Sequence, residues 1–166
     1  MKLDDIDIRI LAVLQKNGRI SATRLAEKVY LSSSACNDRI KKLEKSGYIK
    51  GYFATVELKN EIELCTFIVE ITLQEHRPGM LRRFESEICK RPELVECLHT
   101  AGGINYLVKF VTTSIAGFQT MLEEILESDF GIAKYATYVV TKVVKENEGL
   151  PLGHLLRGRK DATTDD

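Results

Sequence analysis

Two Ser-capped amphipathic segments, separated by a very short connection, constrain the fold of this chain more than any other feature of its sequence. Ser21 can cap a first helix through its hydroxyl. The apolar residues of that helix lie on one side at helical spacing: Leu25, Ala26 and Val29. After a turn at Tyr30 and Leu31, Ser32 can cap a second helix. Its inward residues are spaced i, i+4 and i+7: Cys36, Ile40 and Leu43. Two short helices joined by a tight turn predict a helix-turn-helix unit.

The outward face of the second predicted helix carries hydroxyl, amide and ammonium groups, which can hydrogen-bond base edges and phosphates. Four residues are predicted to approach bases in a DNA major groove: Ser33, Ser34, Asn37 and Asp38. Three are predicted to contact phosphates: Arg39, Lys41 and Lys42. The serines also make the N-terminus of this helix favourable for an anion. The alternative is a solvated polar face without a ligand, as on any amphipathic helix.

The charge distribution favours the DNA-binding interpretation. The whole chain carries 24 Lys plus Arg and 24 Asp plus Glu, so its formal net charge is zero. Residues 1–60 nevertheless hold 12 basic against 7 acidic side chains, a net +5, whereas residues 61–166 hold 12 against 17, a net −5. Such a cationic module is typical of a protein that meets a polyanion. A third helix, from Asp5 to Gln15, supplies the core that this module needs.

The second half of the chain predicts a separate α+β domain. From Cys65 the apolar period changes to two, which indicates a strand, and Pro78 can open a helix. The predicted order is a strand from residue 65, a helix from 78, strands over 94–101 and 105–112, a Ser114-capped helix and a strand over 134–145. This β-α-β-β-α-β order is the ferredoxin-like arrangement. Gly102 and Gly103 are predicted to form a tight turn with positive φ between the middle strands.

The predicted sheet has no face polar enough to be left in water. Tyr106, Val108 and Phe110 point to one side of their strand, and Leu107 and Val111 point to the other. We therefore expect subunits to pair through their sheets. A helix-turn-helix also gains from two-fold symmetry, because two recognition helices can then read two half-sites.

The predicted boundaries divide the chain into four parts. Residues 1–50 form the helix-turn-helix domain, 51–64 a hinge strand and linker, 65–147 the ferredoxin-like domain for ligand response and oligomerisation, and 148–166 a C-terminal tail. The tail leucines are predicted to pack on a neighbouring subunit, and residues 158–166 to be disordered. The N-terminus lacks the features of a signal peptide, so we expect a cytoplasmic protein that does not bind membrane. No cofactor is expected, and no metal site, because His and Cys residues are not paired at ligand spacing.

Three segments together resemble the Lrp/AsnC family of bacterial and archaeal regulators: LDDIDIRILAVLQKNGRIS at 3–21, LSSSACNDRIKKLEKSGYIKGYFA at 31–54 and TAGGINYLVK at 100–109. The resemblance implies a winged-helix-like DNA-binding domain, a hinge strand and a C-terminal domain, often called RAM, that responds to a ligand. It also implies homodimers that join into tetramers or octamers. A small effector, usually an amino acid or a related metabolite, is then expected between dimers.

The same resemblance places the effector site at the turn before the third strand and on the last strand. The implied residues are Ala101, Gly102, Gly103, Asn105, Tyr106, Thr137, Tyr138 and Val140. The chain departs from the family at two positions: Tyr30 stands where the family often has Gly, and Asn105 where it commonly has Asp. An amide at position 105 predicts weaker binding of ordinary amino acids or a different effector, because a charge-assisted hydrogen bond is missing.

Two other functions compete with a ligand-modulated, sequence-specific transcriptional regulator. Siroheme decarboxylases resemble the same two-domain family, and an enzyme of that kind would use His99 or Arg77 at a tetrapyrrole pocket. The polar recognition helix favours a regulator without enzymatic activity. The third interpretation is a DNA-organising protein that needs no effector.

Overall fold

The computed structural model describes residues 1–58, 61–75, 77–128 and 130–156, and the chain divides into two compact units. The first unit contains Met1–Val56 and the chain from Lys145 on, and the second runs from Glu57 to Val144. The tail predicted as disordered, residues 158–166, lies outside the described residues. Among the described residues, none of the helices combines the length and apolarity that crossing a bilayer requires.

The first unit contains three helices: α1 (Asp5–Lys16), α2 (Ala22–Val29) and α3 (Ser33–Lys45). Asp4 caps α1 in a reciprocal capping box, in which the Asp4 side chain accepts from the Asp7 N–H and the Asp7 side chain accepts from the Asp4 N–H. The buried core joins all three helices and consists of Ile10, Leu25, Ala26, Val29, Cys36 and Leu43. The predicted helix-turn-helix and its supporting helix are confirmed.

The hinge strand expected within residues 51–64 is not formed in this chain: the structure describes residues 51–58 and 61–64, and neither stretch is a strand. Phe53 and Val56 in this segment are 89% and 74% exposed. The backbone of a strand must hydrogen-bond to a neighbouring strand. A sequence rich in strand-forming residues does not by itself supply that neighbour. The strand prediction for this segment is therefore wrong within a single chain.

The second unit is a four-stranded antiparallel sheet with two helices. Its elements are β1 (Cys65–Leu73), α4 (Pro78–Ile88), β2 (Leu94–His99), β3 (Tyr106–Thr112), α5 (Ile115–Glu127) and β4 (Ile132–Val139). The strand order is β2-β3-β1-β4, which confirms the ferredoxin-like arrangement. Strands β2 and β4 are shorter than predicted, because residues 100–101 and 140–145 fall outside the ladder.

The predicted alternation of side chains along β3 is confirmed, and the two faces of the sheet differ in how they are covered. One face packs beneath α4 and α5, and its β1 and β3 residues are buried: Phe67, Val69, Ile71, Leu73, Tyr106, Val108 and Phe110. The other face, called here the open face, carries half-buried Ile68, Leu107 and Val111 together with Leu98 and Tyr138, which are about half exposed. Charged residues Glu70 and Lys109 lie among them.

The end of the described chain returns to the first unit as a short helix, α6 (Leu152–Leu155). Gln15 of α1 exchanges two hydrogen bonds with Leu150: its amide donates to the carbonyl at 2.8 Å and its oxygen accepts from the N–H at 3.0 Å. Four tail leucines, together with residues of α1, line an apolar cavity of about 420 Å³: Leu150, Leu152, Leu155 and Leu156. The partner expected from a neighbouring subunit is therefore found within the same chain.

Candidate functional site

The turn between α2 and α3 is held by backbone and hydroxyl hydrogen bonds. The Oγ of Ser32 accepts from the Ala35 N–H at 3.2 Å, which fixes the start of α3. Tyr30 adopts φ 60 and ψ 47, and its N–H donates to carbonyls of the last turn of α2. Among the described residues it is the one non-glycine residue with positive φ. The left-handed conformation costs an L residue roughly 1–2 kcal/mol, so the turn keeps its geometry in spite of the tyrosine.

Helix α3 exposes most of the residues that the sequence predicted for DNA contact. Those with exposed side chains are Ser33, Ser34, Asn37, Asp38, Lys41 and Lys42. Cys36 and Leu43, on the opposite side, are 0% exposed and anchor the helix in the core. At about 100° per residue, Ser34, Asp38 and Lys41 lie close to the centre of the outward face. Asn37 lies nearer its edge.

Arg39 differs from its predicted role as a phosphate contact. Its Nη1 lies 2.6 Å from Oδ2 of Asp4 and 2.8 Å from Oδ1 of Asp7, so it ties α3 to the start of α1. Asp7 is only 2% exposed. Burial raises the pKa of Asp4, but its hydrogen bonds and the Arg39 charge outweigh burial and leave that pKa below its usual value. The same carboxylates raise the pKa of Arg39.

A second cationic group, on α2, is absent from the set of residues predicted from the sequence. A shallow depression of about 330 Å³ at the start of α2 is lined by Asn17, Arg19, Ile20, Ser21, Arg24 and Lys28. Arg24 and Lys28 are spaced i, i+4 and both are exposed, and Ser21 caps the helix here at 3.3 Å from the Arg24 N–H. In helix-turn-helix proteins the first helix of the motif crosses the DNA backbone. The i, i+4 spacing of these cations on an N-capped helix is visible in the sequence and could have predicted this second cationic group.

The predicted effector turn is a wider loop than the sequence suggested. The Thr100 N–H donates to the Asn105 carbonyl at 2.8 Å, and the Thr100 hydroxyl donates to the Ile104 carbonyl at 2.8 Å. Neither Gly102 nor Gly103 has positive φ, so the prediction of a tight turn that needs them for their conformation is wrong. A Cβ at either glycine would meet no atom of the described residues within 4 Å, apart from the two chain neighbours of that glycine. These glycines therefore leave open space at an exposed loop.

The two residues that follow this loop are buried. Oδ1 of Asn105 accepts from the Leu73 N–H at 2.8 Å, so this amide holds the end of β1, and the residue is 8% exposed. Tyr106 is 1% exposed and lies in the core, where its hydroxyl donates to Glu85 of α4 at 2.9 Å. Burial, followed by the hydrogen bond to Glu85, raises the pKa of Tyr106. Both residues support the loop from behind within a single chain.

The β4 residues predicted for the effector do not meet the loop within one chain. Thr137 lies opposite Val69, which in turn lies opposite Val108 of β3. Thr137 is therefore about 10 Å across the sheet and about 7 Å along it from the start of β3. Tyr138 and Val140 alternate with Thr137 along the chain: Tyr138 lies on the opposite face, and the Val140 N–H donates to the Thr66 carbonyl at 2.9 Å, just past the end of the strand. The loop and β4 are two separate surfaces.

The residues considered for an enzyme have local partners instead. The His99 ring packs 5.0 Å from the Tyr106 ring, and Arg77 forms an ion pair with Glu75 at 3.3 Å. Within the part of the chain that the structure describes, no group of three or more His, Cys, Asp or Glu residues is placed to hold a metal.

Family models match both units of the chain. Residues 3–50 match a winged helix-turn-helix DNA-binding domain, and residues 66–150 match an Lrp/AsnC ligand binding domain. The first match includes α1, α2 and α3, and the second includes nearly the whole four-stranded sheet.

Named relatives agree with these matches over most of the chain. Transcriptional regulatory protein DoeX of Halomonas elongata is 43% identical over 145 residues, covering 87% of this chain and 92% of the relative. A leucine-responsive regulatory protein of Haemophilus influenzae is 38% identical over 90% of each chain. The crystal structure of a Neisseria meningitidis transcriptional regulator in complex with L-Met has a TM-score of 0.85 and 31% identity, covering 93% of this chain and all of the other.

Proposed function

The chain belongs to the Lrp/AsnC family and is a DNA-binding transcriptional regulator with a ligand-binding domain, and from this we propose that it reads specific duplex sequences as a cytoplasmic homo-oligomer controlled by a small amino-acid-like effector. Its named relatives are regulators, so the family is not one of enzymes. The observation that carries the proposal is the exposed polar face of α3, presented on a helix whose other side is locked in the core.

We assign base contacts to Ser33, Ser34, Asn37 and Asp38, and phosphate contacts to Lys41 and Lys42. Amide and hydroxyl groups supply both donors and acceptors for base edges, and Asn suits adenine in particular. Arg39 is left out, because its guanidinium is held by Asp4 and Asp7. Arg24 and Lys28 of α2 are added as phosphate contacts on the flanking backbone.

The DNA assignment is tested on a duplex enriched from a random-sequence pool by the full-length protein. Lys42→Ala should flatten the slope of log K against log salt by about 0.9, because the variant neutralises one phosphate fewer. Lys90→Ala is the matched control: Lys90 is exposed in the second unit, pairs with Glu87 at 2.7 Å and should leave the slope unchanged. An unchanged slope for Lys42→Ala would remove Lys42 from the proposed DNA surface.

Asn37→Ala tests sequence reading separately from affinity. We expect the affinity for the selected duplex to fall roughly 5- to 150-fold, which corresponds to about 1–3 kcal/mol for one good base contact. Affinity for a scrambled duplex of the same length should fall much less, because binding there depends on phosphates. Equal reductions on both duplexes would mean that Asn37 only positions the helix.

Assembly through the open face of the sheet is supported by its apolar residues. Burial stabilises such a face by roughly 25 cal/mol per Å² removed from water. Leu98→Asp places a charge on this face at a residue that is 46% exposed, so the single chain should tolerate it. Ile115→Asp is the control, since Ile115 is 55% exposed at the start of α5, a helix that covers the other face. Sedimentation should show dissociation for Leu98→Asp alone, and unchanged assembly of both variants would refute the proposed interface.

An amino-acid effector is supported by the L-Met complex of the Neisseria relative and by the open space around the two loop glycines. We propose that Ala101, Gly102 and Gly103 receive the effector's carboxylate through backbone N–H groups, with Asn105 and Tyr106 supporting the loop. Thr137, Tyr138 and Val140 could join only from another chain.

Calorimetry with a panel of amino acids, including Met and Leu, tests this site. Gly103→Ala should weaken binding of whichever member binds, because the added methyl group occupies the space of the ligand. Gly79→Ala is the control: Gly79 lies at the start of α4, and a Cβ there also meets no described atom within 4 Å beyond its chain neighbours and its own helix backbone. Equal binding by both variants would place the effector elsewhere.

A further inference from the structure

Tyr30, at the turn between α2 and α3, has a side chain that the fold does not explain. Its backbone conformation, φ 60 and ψ 47, disfavours any L side chain other than Asn or Asp. The turn needs only backbone groups at this position: the Tyr30 N–H donates to the Glu27 carbonyl at 3.3 Å, and the Leu31 N–H donates to the Ala26 carbonyl at 2.9 Å. Glycine or asparagine would form these bonds with less strain.

The phenol ring also gains nothing from packing. It is 86% exposed, far more than Tyr48 or Tyr52 of the same unit, which are 44% and 48% exposed. The hydroxyls of those two tyrosines donate to the Met1 carbonyl and to Glu44, whereas the Tyr30 hydroxyl makes no hydrogen bond to any residue that the structure describes. A residue with a strained backbone and an exposed aromatic side chain that neither packs nor hydrogen-bonds within the described chain points to a partner outside the chain.

The position of Tyr30 identifies the kind of partner. It lies two residues after Lys28, a cation of α2, and three residues before Ser33, where the exposed polar face of α3 begins. Both neighbours belong to the proposed DNA surface. Tyrosine is among the side chains that donate hydrogen bonds to phosphate oxygens in protein–DNA complexes. A phenol can reach the backbone at the groove edge while its ring covers a deoxyribose.

We propose that Tyr30 is a DNA contact, with its hydroxyl donating to a backbone phosphate at the edge of the groove that the N-terminus of α3 enters. This inference rests on the proposed function and adds to it a contact from the turn itself. It also accounts for the strain, because the left-handed turn directs the side chain away from the core, where it remains available to a ligand.

The test measures affinity for the selected duplex with three full-length variants. Tyr30→Phe removes only the hydroxyl and keeps the backbone strain, and it should weaken binding by roughly 3- to 10-fold. Tyr30→Asn removes the ring and should weaken binding by about 10-fold or more, while its thermal midpoint stays equal to or above that of the wild type. Tyr48→Phe is the matched control and should bind like the wild type.

Three outcomes would overturn the inference. Affinities of Tyr30→Phe and Tyr30→Asn within about twofold of the wild type would exclude a DNA contact, even if Lys42→Ala still flattens the salt dependence. A change in sedimentation with unaltered DNA affinity would make Tyr30 a protein contact. Failure of the wild type to select any duplex would instead refute the proposed sequence-specific function, and the inference with it.

Discussion

Replacing Arg39 by Met should destabilise the first unit without changing the salt dependence of DNA binding. The guanidinium is the ion-pair partner of Asp7, which is only 2% exposed, so its removal leaves a buried carboxylate with less compensation. Breaking a fully buried pair costs about 3–5 kcal/mol, and an exposed pair contributes about 0–1 kcal/mol. The Arg39 side chain is 30% exposed and that of Asp4 is 50% exposed, so we expect a destabilisation between these limits, about 2 kcal/mol.

The pH dependence of this destabilisation has a definite sign. The pKa of Asp4 is lower in the folded chain than its ordinary value of 3.8. A carboxylate of this kind stabilises the fold above its unfolded pKa, and the contribution disappears as pH falls through the lower folded value. Urea denaturation followed by circular dichroism should therefore show a constant difference between wild type and Arg39→Met near neutrality. Below about pH 4 that difference should shrink.

Two controls separate the structural role from a phosphate contact. Lys42→Met should keep the wild-type stability and show a weaker salt dependence, which is the reverse of the pattern expected for Arg39→Met. In a double-mutant cycle, Asp7→Asn should reduce the cost of Arg39→Met, because the buried charge is then gone. Wild-type stability of Arg39→Met together with a flatter salt slope would show that the reasoning about this ion pair is wrong.

Two further substitutions test contacts that only the structure reveals. Gly149→Ala should lower the free energy of unfolding by about 1–2 kcal/mol, because Gly149 has φ +96 and a Cβ there would collide with the Gln15 side chain. Amide hydrogen exchange at residue 150 should accelerate in this variant. Gly153→Ala is the control and should change neither quantity, because a Cβ at Gly153 has open space among the described residues. Asn105→Ala should lower the free energy of unfolding by about 1–3 kcal/mol, because the Leu73 N–H is left without its acceptor, and Asn105→Asp should cost less in chemical denaturation since a carboxylate oxygen can still accept. Equal effects of the members of either pair would contradict these assignments.

Local features of the fold were predictable because their causes lie within a few residues. Ser21 and Ser32 cap helices because each hydroxyl accepts from an N–H three residues later, a relationship that is visible in the sequence. The alternation in β1 likewise follows from the period of a strand, and its burial pattern matches at Phe67, Val69 and Ile71. Caps and periods therefore gave the element order and, with it, the fold.

The functional residues were predicted less well where their partners are distant in the sequence. In the sequence, Arg39 has the charge and the helix position of a phosphate contact. Its partners are distant, however: Asp4, the cap of α1, lies 35 residues away, and Asp7, in the first turn of α1, lies 32 residues away. Tyr106 belongs to a motif that resembles an effector turn, yet its ring packs on Phe84 at 4.6 Å and its hydroxyl bonds Glu85. A cation or a phenol can serve a ligand or the fold, and only tertiary contacts decide between these roles.

The separation of the loop from β4 has a thermodynamic consequence for regulation. If the effector is held by Gly102 and Gly103 of one chain and by Tyr138 of another, the site exists only in the assembly. A ligand that binds the assembly and not its parts stabilises it by RT ln(1 + [L]/Kd), about 2.7 kcal/mol at roughly 100 times Kd, or about a hundredfold in the association constant. By linkage, effector binding must in turn become tighter at protein concentrations that favour assembly. The effector could then control DNA binding through the number and spacing of recognition helices, without any change in the fold of either unit.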